Sequence, residues 1–467
     1  MVATRSSTSR VERDDNRMIV VVTGANSGFG LGLCQQLLYN LSFPPGSDIP
    51  AAKPQSTALP PSLRYLLHQP PSATTPHIPS PPPALTLILA CRSETKAIEA
   101  KEILLKRHLR DLENRKKRGE KVREGWRDGL RVVWEGVDLD SPGGQNGVLA
   151  FCERLKERYP HITTLCLNAG MGAWSGLNYW AFFKQIVQEG MPLAMSQPKY
   201  QYETKGAMSR DGERGLAWGT NVLAPYIMAR ELAPLLRNSP TTLPFSPRII
   251  YTSSLTSFRD KLTKDPLDDY QLIEYENSYS ASKYMGDVVM CELDREYNAD
   301  IDSYNGNGNG NGNENGTGGP ESGSGSYVKQ GEKRTLRVLT TDPGCVTTNF
   351  FSAGLGAGAW AWWADVKWVF YWLAFYICRI IGSPWHPVYA DQGALPLIYA
   401  SLIPDEYIPP ASQIPAPRFS AIAERWGRTK VGYGEVDRWE EGLDIGKGVV
   451  ERCEVIRKEW RRKEGLE

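Results

Sequence analysis

The sequence predicts an α/β fold, a doubly wound parallel sheet with helices on both faces. Three observations predict it. Six short apolar, β-branched runs recur along the chain. Helix-length amphipathic segments separate them. The first run ends in a glycine-rich turn that opens a helix. Apolar strands alternating with amphipathic helices imply a sheet covered on both faces.

Taken in order, the strands are "MIVVVT" (18–23), "LTLILA" (85–90), "LRVVWEG" (130–136), "ITTLCL" (162–167), "RIIYTS" (248–253) and "LRVLTT" (336–341). The helices fall near 29–41, 94–117, 145–158, 213–237 and 279–297. Two stretches do not fit a core. Residues 42–84 hold 13 prolines, too many for a helix or an inner strand. Residues 303–326 hold 9 Gly and 6 Asn and read as a flexible loop. The patterns on either side of each stretch continue one another, so both are insertions. The chain divides into a disordered tail (1–17), a main α/β domain (18–350) and an extension of that domain (351–467).

Composition narrows the function. Hydrophobic content of 41% and charged content of 23% describe a globular protein. A net charge of +1 gives no electrostatic case for nucleic acid. Eight scattered cysteines form no C-x-x-C pair, which reads as reduced, buried thiols. The N-terminus lacks the apolar stretch of a secretory signal.

The glycine turn is "TGANSGFG", Thr23 to Gly30, with Gly24, Asn26, Ser27 and Gly28 between. Close-spaced glycines let backbone approach a pyrophosphate, and a helix N-terminus offers N–H groups and a positive dipole end. A tight turn with no ligand is the alternative. A strand before it and a helix after it favour the dinucleotide reading and a Rossmann-type domain. At the end of the second strand stands Arg92, where a basic residue accommodates a ribose 2′-phosphate. NADPH/NADP+ is therefore favoured over NAD(H), unless Arg92 only caps a strand. The proline-rich insertion stretches the spacing between these two features.

"YSASK" (279–283) sets Tyr279 four residues ahead of Lys283. Twenty-one tyrosines and 21 lysines in 467 residues make one such pair expected by chance. Its neighbours decide the matter. Thr23–Gly30, "NAG" (Asn168, Ala169, Gly170), Asn221 in "WGTNVLAPY", "YTSS" (251–254), Tyr279/Lys283 and "PGCVTT" (343–348) occur in that order. Together they resemble the short-chain dehydrogenase/reductase family over residues 18 to about 350. "LTLILACRS", "LCLNAGM", "RIIYTSSLTS" and "YSASKYMGDVV" are further similar to the 3-keto-steroid reductases of sterol C-4 demethylation.

On a helix Tyr279 and Lys283 share a face. A nearby ammonium is expected to lower the phenol pKa, and a poised phenol protonates a carbonyl oxygen as hydride arrives at carbon. The resemblance implies that Lys283 also holds the nicotinamide ribose. It makes Ser254 the donor to the substrate carbonyl, with Ser253 the neighbour that could be confused with it. It gives Asn221 a water linked to Lys283, and Asp138 an adenine contact, although an Asp in a turn is common. It puts Pro343, Val346 and Thr348 at the nicotinamide, with Thr347 the runner-up to Thr348. No metal is required, since hydride comes from the cofactor and the proton from Tyr279.

"GLNYWAFFKQIV" (176–187) and the tryptophan-rich run 355–382 favour a large apolar substrate, or else are core helices. Three readings stay open: a sterol 3-ketone reductase, a reductase of another lipid carbonyl, and an idle NADP-binding scaffold. The uncharged run 368–378 is only 11 residues, too short to span a bilayer. It reads as a segment lying in the membrane surface. The resemblance implies the cytosolic face of the endoplasmic reticulum membrane, with lipid droplets as a second site, and other C-4 demethylation enzymes as partners.

Overall fold

A computed structural model describes residues 11–44, 84–243, 245–306, 335–348, 361–409, 411, 416–426 and 429–467, with no side-chain description for 300–306, 361–368 and 406. The strands are β1 (Arg17–Thr23), β2 (Ala84–Cys91), β3 (Leu130–Gly136), β4 (Thr164–Leu167), β5 (Trp174–Leu177), β6 (Gln201–Glu203), β7 (Arg248–Thr252), β8 (Arg337–Asp342), β9 (Pro417–Ile422) and β10 (Lys430–Glu435). The helices are α1 (Gly28–Leu41), α2 (Glu94–Lys117), α3 (Trp126–Gly129), α4 (Val148–Arg158), α5 (Tyr179–Glu189), α6 (Met191–Ser196), α7 (Leu216–Trp218), α8 (Ala224–Arg237), α9 (Ser278–Gly306), α10 (Ala361–Ile380), α11 (Ala390–Gly393), α12 (Leu395–Leu402) and α13 (Trp439–Lys463).

Eight strands form one sheet in the order β3-β2-β1-β4-β7-β8-β9-β10. All pairs are parallel except β9 with β10. The expected parallel sheet stands, and β10 adds one antiparallel return at its edge after a short connection. Side chains alternate across β1 as a strand requires. Ile19 and Val21 join a core with α4, α8, α9 and α13, while Met18, Val20 and Val22 join a second core with α1 and α12. Both faces are therefore buried, which explains the unbroken apolar run in the sequence.

The strand order reverses beside β1: β2 lies on one side and β4 on the other. Chain leaving the C-terminal ends of β1 and β4 therefore parts in opposite directions and opens a crevice, the usual ligand position in such sheets.

Some expectations change. Val11 donates its N–H to the Arg158 carbonyl at 2.7 Å, and Arg17 already belongs to β1, so the tail does not reach residue 17. Helix α9 continues to Gly306, taking in the first four residues of the segment read as a loop. Most of the two insertions, and 355–360 of the tryptophan-rich run, lie outside the described residues. All eight cysteines are unpaired and buried.

Candidate active site

The crevice at the C-terminal ends of β1, β4, β7 and β8 holds about 870 Å³. Its walls include Gly24, Asn26, Ser27, Gly28 and Gly30 from the glycine turn, Asn168–Gly170, Ser254, Tyr279, Lys283, Pro343, Val346 and Thr348.

The glycine turn is built for close approach. Gly28 has φ +52°, the left-handed region that favours glycine. At Gly30 a Cβ would stand 2.3 Å from the Gly24 carbonyl oxygen and 2.8 Å from Asn168 Nδ2. The Ser27 side chain does not cap α1, whose N-terminus faces the crevice. Thr23 does not line the crevice. Its hydroxyl accepts the N–H groups of Asn168 and Ala169, each at 2.9 Å, while Asn168 Nδ2 donates to the Thr23 carbonyl at 2.9 Å. Thr23 thus clips the ends of β1 and β4 together and fixes the crevice floor.

Tyr279 stands in the first turn of α9. The Glu203 carboxylate on β6 accepts from the Tyr279 N–H at 2.9 Å and from the Ser278 hydroxyl at 2.7 Å, capping the helix from outside. The Trp174 ring on β5 lies 5.3 Å from the Tyr279 ring, centroid to centroid. The antiparallel β5–β6 pair therefore sets the pose of this tyrosine. Nothing in the sequence pattern marked Glu203, and its pairing spans 76 residues.

Lys283 is 2% exposed. Its Nζ donates to the Thr252 carbonyl at 2.9 Å and lies 5.0 Å from the Tyr251 ring and 5.8 Å from the Tyr279 ring. Burial lowers its pKa to about 8, against an opposing pull from Asp287. The Tyr279 phenol moves the other way. Burial pushes it above its ordinary value, Ser254 hydrogen bonding opposes this, and Asp342 and Glu203 add to it. The expected lowering is corrected: desolvation of the phenolate dominates the shift.

The two adjacent serines part. Ser253 lines the crevice too, but its hydroxyl is taken up by Asp287 Oδ2, to which it donates at 2.6 Å. Ser254 lies on the crevice wall and is hydrogen-bonded with Tyr279. Thr347 and Thr348 divide likewise. Thr347 donates both N–H and hydroxyl to the Val388 carbonyl at 2.8 Å, and Thr348 faces Gly28 across the crevice.

Asn221 is fully buried behind the wall, in a π-helical turn (219–223) between α7 and α8. Its Oδ1 accepts the Met171 N–H, and its Nδ2 donates to the Met171 carbonyl and to Ser282 Oγ, all at 2.8 Å. Ser282 in turn donates to the Tyr279 carbonyl at 2.7 Å. The Tyr251 hydroxyl donates to the Asn221 carbonyl at 3.0 Å. The widened turn therefore ties the segment after β4 to the tyrosine helix.

Arg92 and Asp138 are not brought into the crevice wall. Arg92 is exposed past β2. Asp138 forms an ion pair with Arg210.

Replacing Asn221 with Ala leaves the Met171 N–H and carbonyl without their partner, while the Ser282 hydroxyl keeps its bond to the Tyr279 carbonyl. At about 1–3 kcal/mol for each buried group left unpaired, part of it relieved by relaxation, unfolding free energy in urea is expected to fall by about 2–4 kcal/mol. A loss under about 0.5 kcal/mol contradicts this account of the turn.

No family model matches the chain. A 3-keto-steroid reductase of Aspergillus fumigatus is 25% identical over 93% of this chain and 85% of that protein. One from Schizosaccharomyces pombe is 23% identical over 83% of this chain and 82% of its own. For a third, from Kluyveromyces lactis, 26% identity extends over 53% of this chain and 56% of that protein. Among solved structures, salutaridine reductase of Papaver somniferum aligns over 85% of this chain and 98% of its own, with 17% identity and a TM-score of 0.41, a likeness too loose to bear on the site. In sequence the chain is similar to the 3-keto-steroid reductases, and it resembles the short-chain dehydrogenase/reductase family to which its ordered motifs point.

Proposed function

We propose that this protein reduces a sterol 3-ketone to the 3β-alcohol with NADPH, as a step of sterol (ergosterol) biosynthesis. The observation that carries the reading is the meeting of Ser254, Tyr279 and Lys283 at one end of a glycine-floored crevice. The names of the relatives supply the substrate class.

The residues present fit a dinucleotide. The Gly30 position admits no Cβ, the helix behind it is uncapped by Ser27, and Gly24 to Gly30 would hold the pyrophosphate. Asn168–Gly170, Pro343, Val346 and Thr348 would flank the nicotinamide, Lys283 its ribose. Once bound, the nicotinamide supplies the hydride. Ser254 then orients the ketone oxygen, and Tyr279 delivers a proton to it. A phenol held above its usual pKa stays protonated at neutral pH, the state that reduction needs.

The apolar substrate has a route of matching chemistry. A cavity of about 390 Å³ between α5, α6 and α10 is lined by Leu177, Phe182, Tyr200, Tyr371 and other apolar or aromatic side chains, and it shares Met195 with the crevice. Trp180 (80% exposed) and Val187 (85%) on α5, with Phe370 (66%) on α10, leave its surroundings apolar toward solvent. No helix among the described residues is long and apolar enough to cross a membrane. This face instead suits the cytosolic surface of a membrane of the endoplasmic reticulum, or a lipid droplet, where other enzymes of sterol C-4 demethylation would be neighbours.

Purified protein is expected to oxidise NADPH with a 3-keto sterol faster than with a 17-ketosteroid, retinal or a ketoacyl ester. No turnover of any of these ketones overturns the reading. Tyr279→Phe should bind NADPH normally and lose about 10²–10⁴ in turnover.

NADPH should be preferred over NADH, and Arg92→Asp should narrow that preference by roughly tenfold to a hundredfold. Equal use of both cofactors by the unaltered protein contradicts the role of Arg92.

For reduction, kcat/KM is expected to fall as pH rises through about 8, where Lys283 loses its proton while Tyr279 keeps its own. A flat profile across that value removes the lysine from the mechanism.

Unaltered protein should float with phosphatidylcholine vesicles in high salt, and the pair Trp180→Asp, Val187→Asp should lose about tenfold in vesicle binding. Protein that never binds vesicles leaves the α5 face without this role.

A further inference from the structure

Strand β9 belongs to the chain beyond all six ordered motifs, yet one of its side chains reaches the back of the active site. Arg418 is 8% exposed and does not line the crevice. Its Nη2 donates to the Ser254 carbonyl at 2.8 Å and pairs with Asp342 Oδ2 at 2.8 Å. Its Nη1 lies 3.5 Å from the Ser257 carbonyl and 3.6 Å from Asp287 Oδ2. Asp287 and Asp342 are 0% and 1% exposed. Asp287 Oδ2 also accepts the hydroxyls of Ser253 and Ser257, each at 2.6 Å. One planar cation therefore meets two buried carboxylates and two carbonyls of the segment that carries Ser254.

We propose that Arg418 is a positioning residue for the reduction: it fixes the Ser254 segment against β8 and α9, and through it the place of the substrate carbonyl.

The geometry requires a guanidinium. Its donors are spread in a plane and serve separate acceptors at once, whereas an ammonium is a compact point. Removing the cation leaves two carboxylates away from water, Asp287 with the hydroxyls of Ser253 and Ser257 and Asp342 with the Gly344 N–H, an arrangement relieved only by proton uptake or by opening to solvent. Either response moves Ser254, because its carbonyl lies on the same nitrogen as Asp342. That carbonyl also accepts the Ser257 N–H at 3.0 Å, so the turn closes on the atom that Arg418 holds. Register explains why this arginine arrives here. Thr340 of β8 pairs with Arg418 of β9, and Asp342 with Ser420, which sets the guanidinium over the end of β8 where the Ser254 segment leaves β7.

This inference rests on the reductase reading, and its test separates the two. Hydrogen exchange over residues 252–258 needs no substrate. In Arg418→Met, exchange at the Ser257 amide is expected to quicken by about tenfold or more, with the dissociation constant for NADPH within about twofold of the unaltered protein. With any ketone that the protein reduces, kcat should fall by about tenfold to a hundredfold, since small displacements of a positioning group cost that much, while KM changes less. Arg418→Lys restores the charge without the fork and should recover only part of kcat. Unchanged exchange over 252–258 overturns the proposal whether or not a substrate is known. So does quickened exchange with an unchanged kcat, which marks a purely structural ion pair. Should Arg418→Met fail to fold, Arg418→Lys carries the same two measurements, with a fall of about fivefold in kcat expected and a kcat within twofold of normal counting against the proposal. Absence of turnover with every ketone defeats the reductase reading alone, and exchange still decides the positioning.

Discussion

The active site depends on holding a lysine ammonium away from water. Lys283 must be buried to lie under the phenol of Tyr279, and burial favours its neutral form. The folded pKa of about 8 lies below the ordinary value of 10.5. The unfolded chain therefore binds more protons between those two values, and stability rises with pH across that window. Below pH 8 the protonated lysine costs the fold roughly 3 kcal/mol, at 1.36 kcal/mol per pKa unit. Its neighbours keep the cost from being larger. The Thr252 carbonyl accepts from Nζ, the Tyr251 ring offers its face at 5.0 Å, and Asp287 stands one helical turn further on.

Each compensation creates the next requirement. Asp287 steadies the ammonium but is itself shut off from solvent, and burial pushes its own pKa up. It needs Ser253, Ser257 and Arg418 around it. Arg418 comes from β9, which is present at that spot only because the C-terminal part of the chain adds two strands beyond β8. The buried charges are thus linked from the motif lysine to a segment that carries no motif. This gives the sheet's extra edge a reason beyond core size.

That linkage also explains what could be read from the sequence. Residues 94–117 and 130–136 carry enough local signal that the expected helix and strand match α2 and β3 residue for residue. The glycine turn, the NAG segment and the Tyr279/Lys283 pair are local patterns too, and the fold brings them together at one crevice. Strands β9 and β10 carried no comparable signal. "PRFSAI" opens on a proline, and "KVGYGE" has two glycines, both poor strand formers by local preference. Strand β9 is placed by β8, whose Thr340 hydroxyl donates to the Pro417 carbonyl 77 residues further along the chain, and β10 is placed by β9. Glu203 and Arg418 were invisible for the same reason. A lone Glu or Arg has no pattern until the fold shows what it faces.

The direction of the Tyr279 shift bears on the protonation state in which the phenol rests. An argument from the neighbouring ammonium alone gives a phenolate, the base that alcohol oxidation needs. Burial, with Asp342 and Glu203 close by, gives a phenol instead. Those two carboxylates are not incidental to the site. Glu203 caps the helix that presents Tyr279, and Asp342 receives the arginine that holds the Ser254 segment. The groups that place the tyrosine and its serine partner therefore also keep the tyrosine protonated. Positioning and proton affinity therefore come in part from the same atoms, with burial the larger cause of the second.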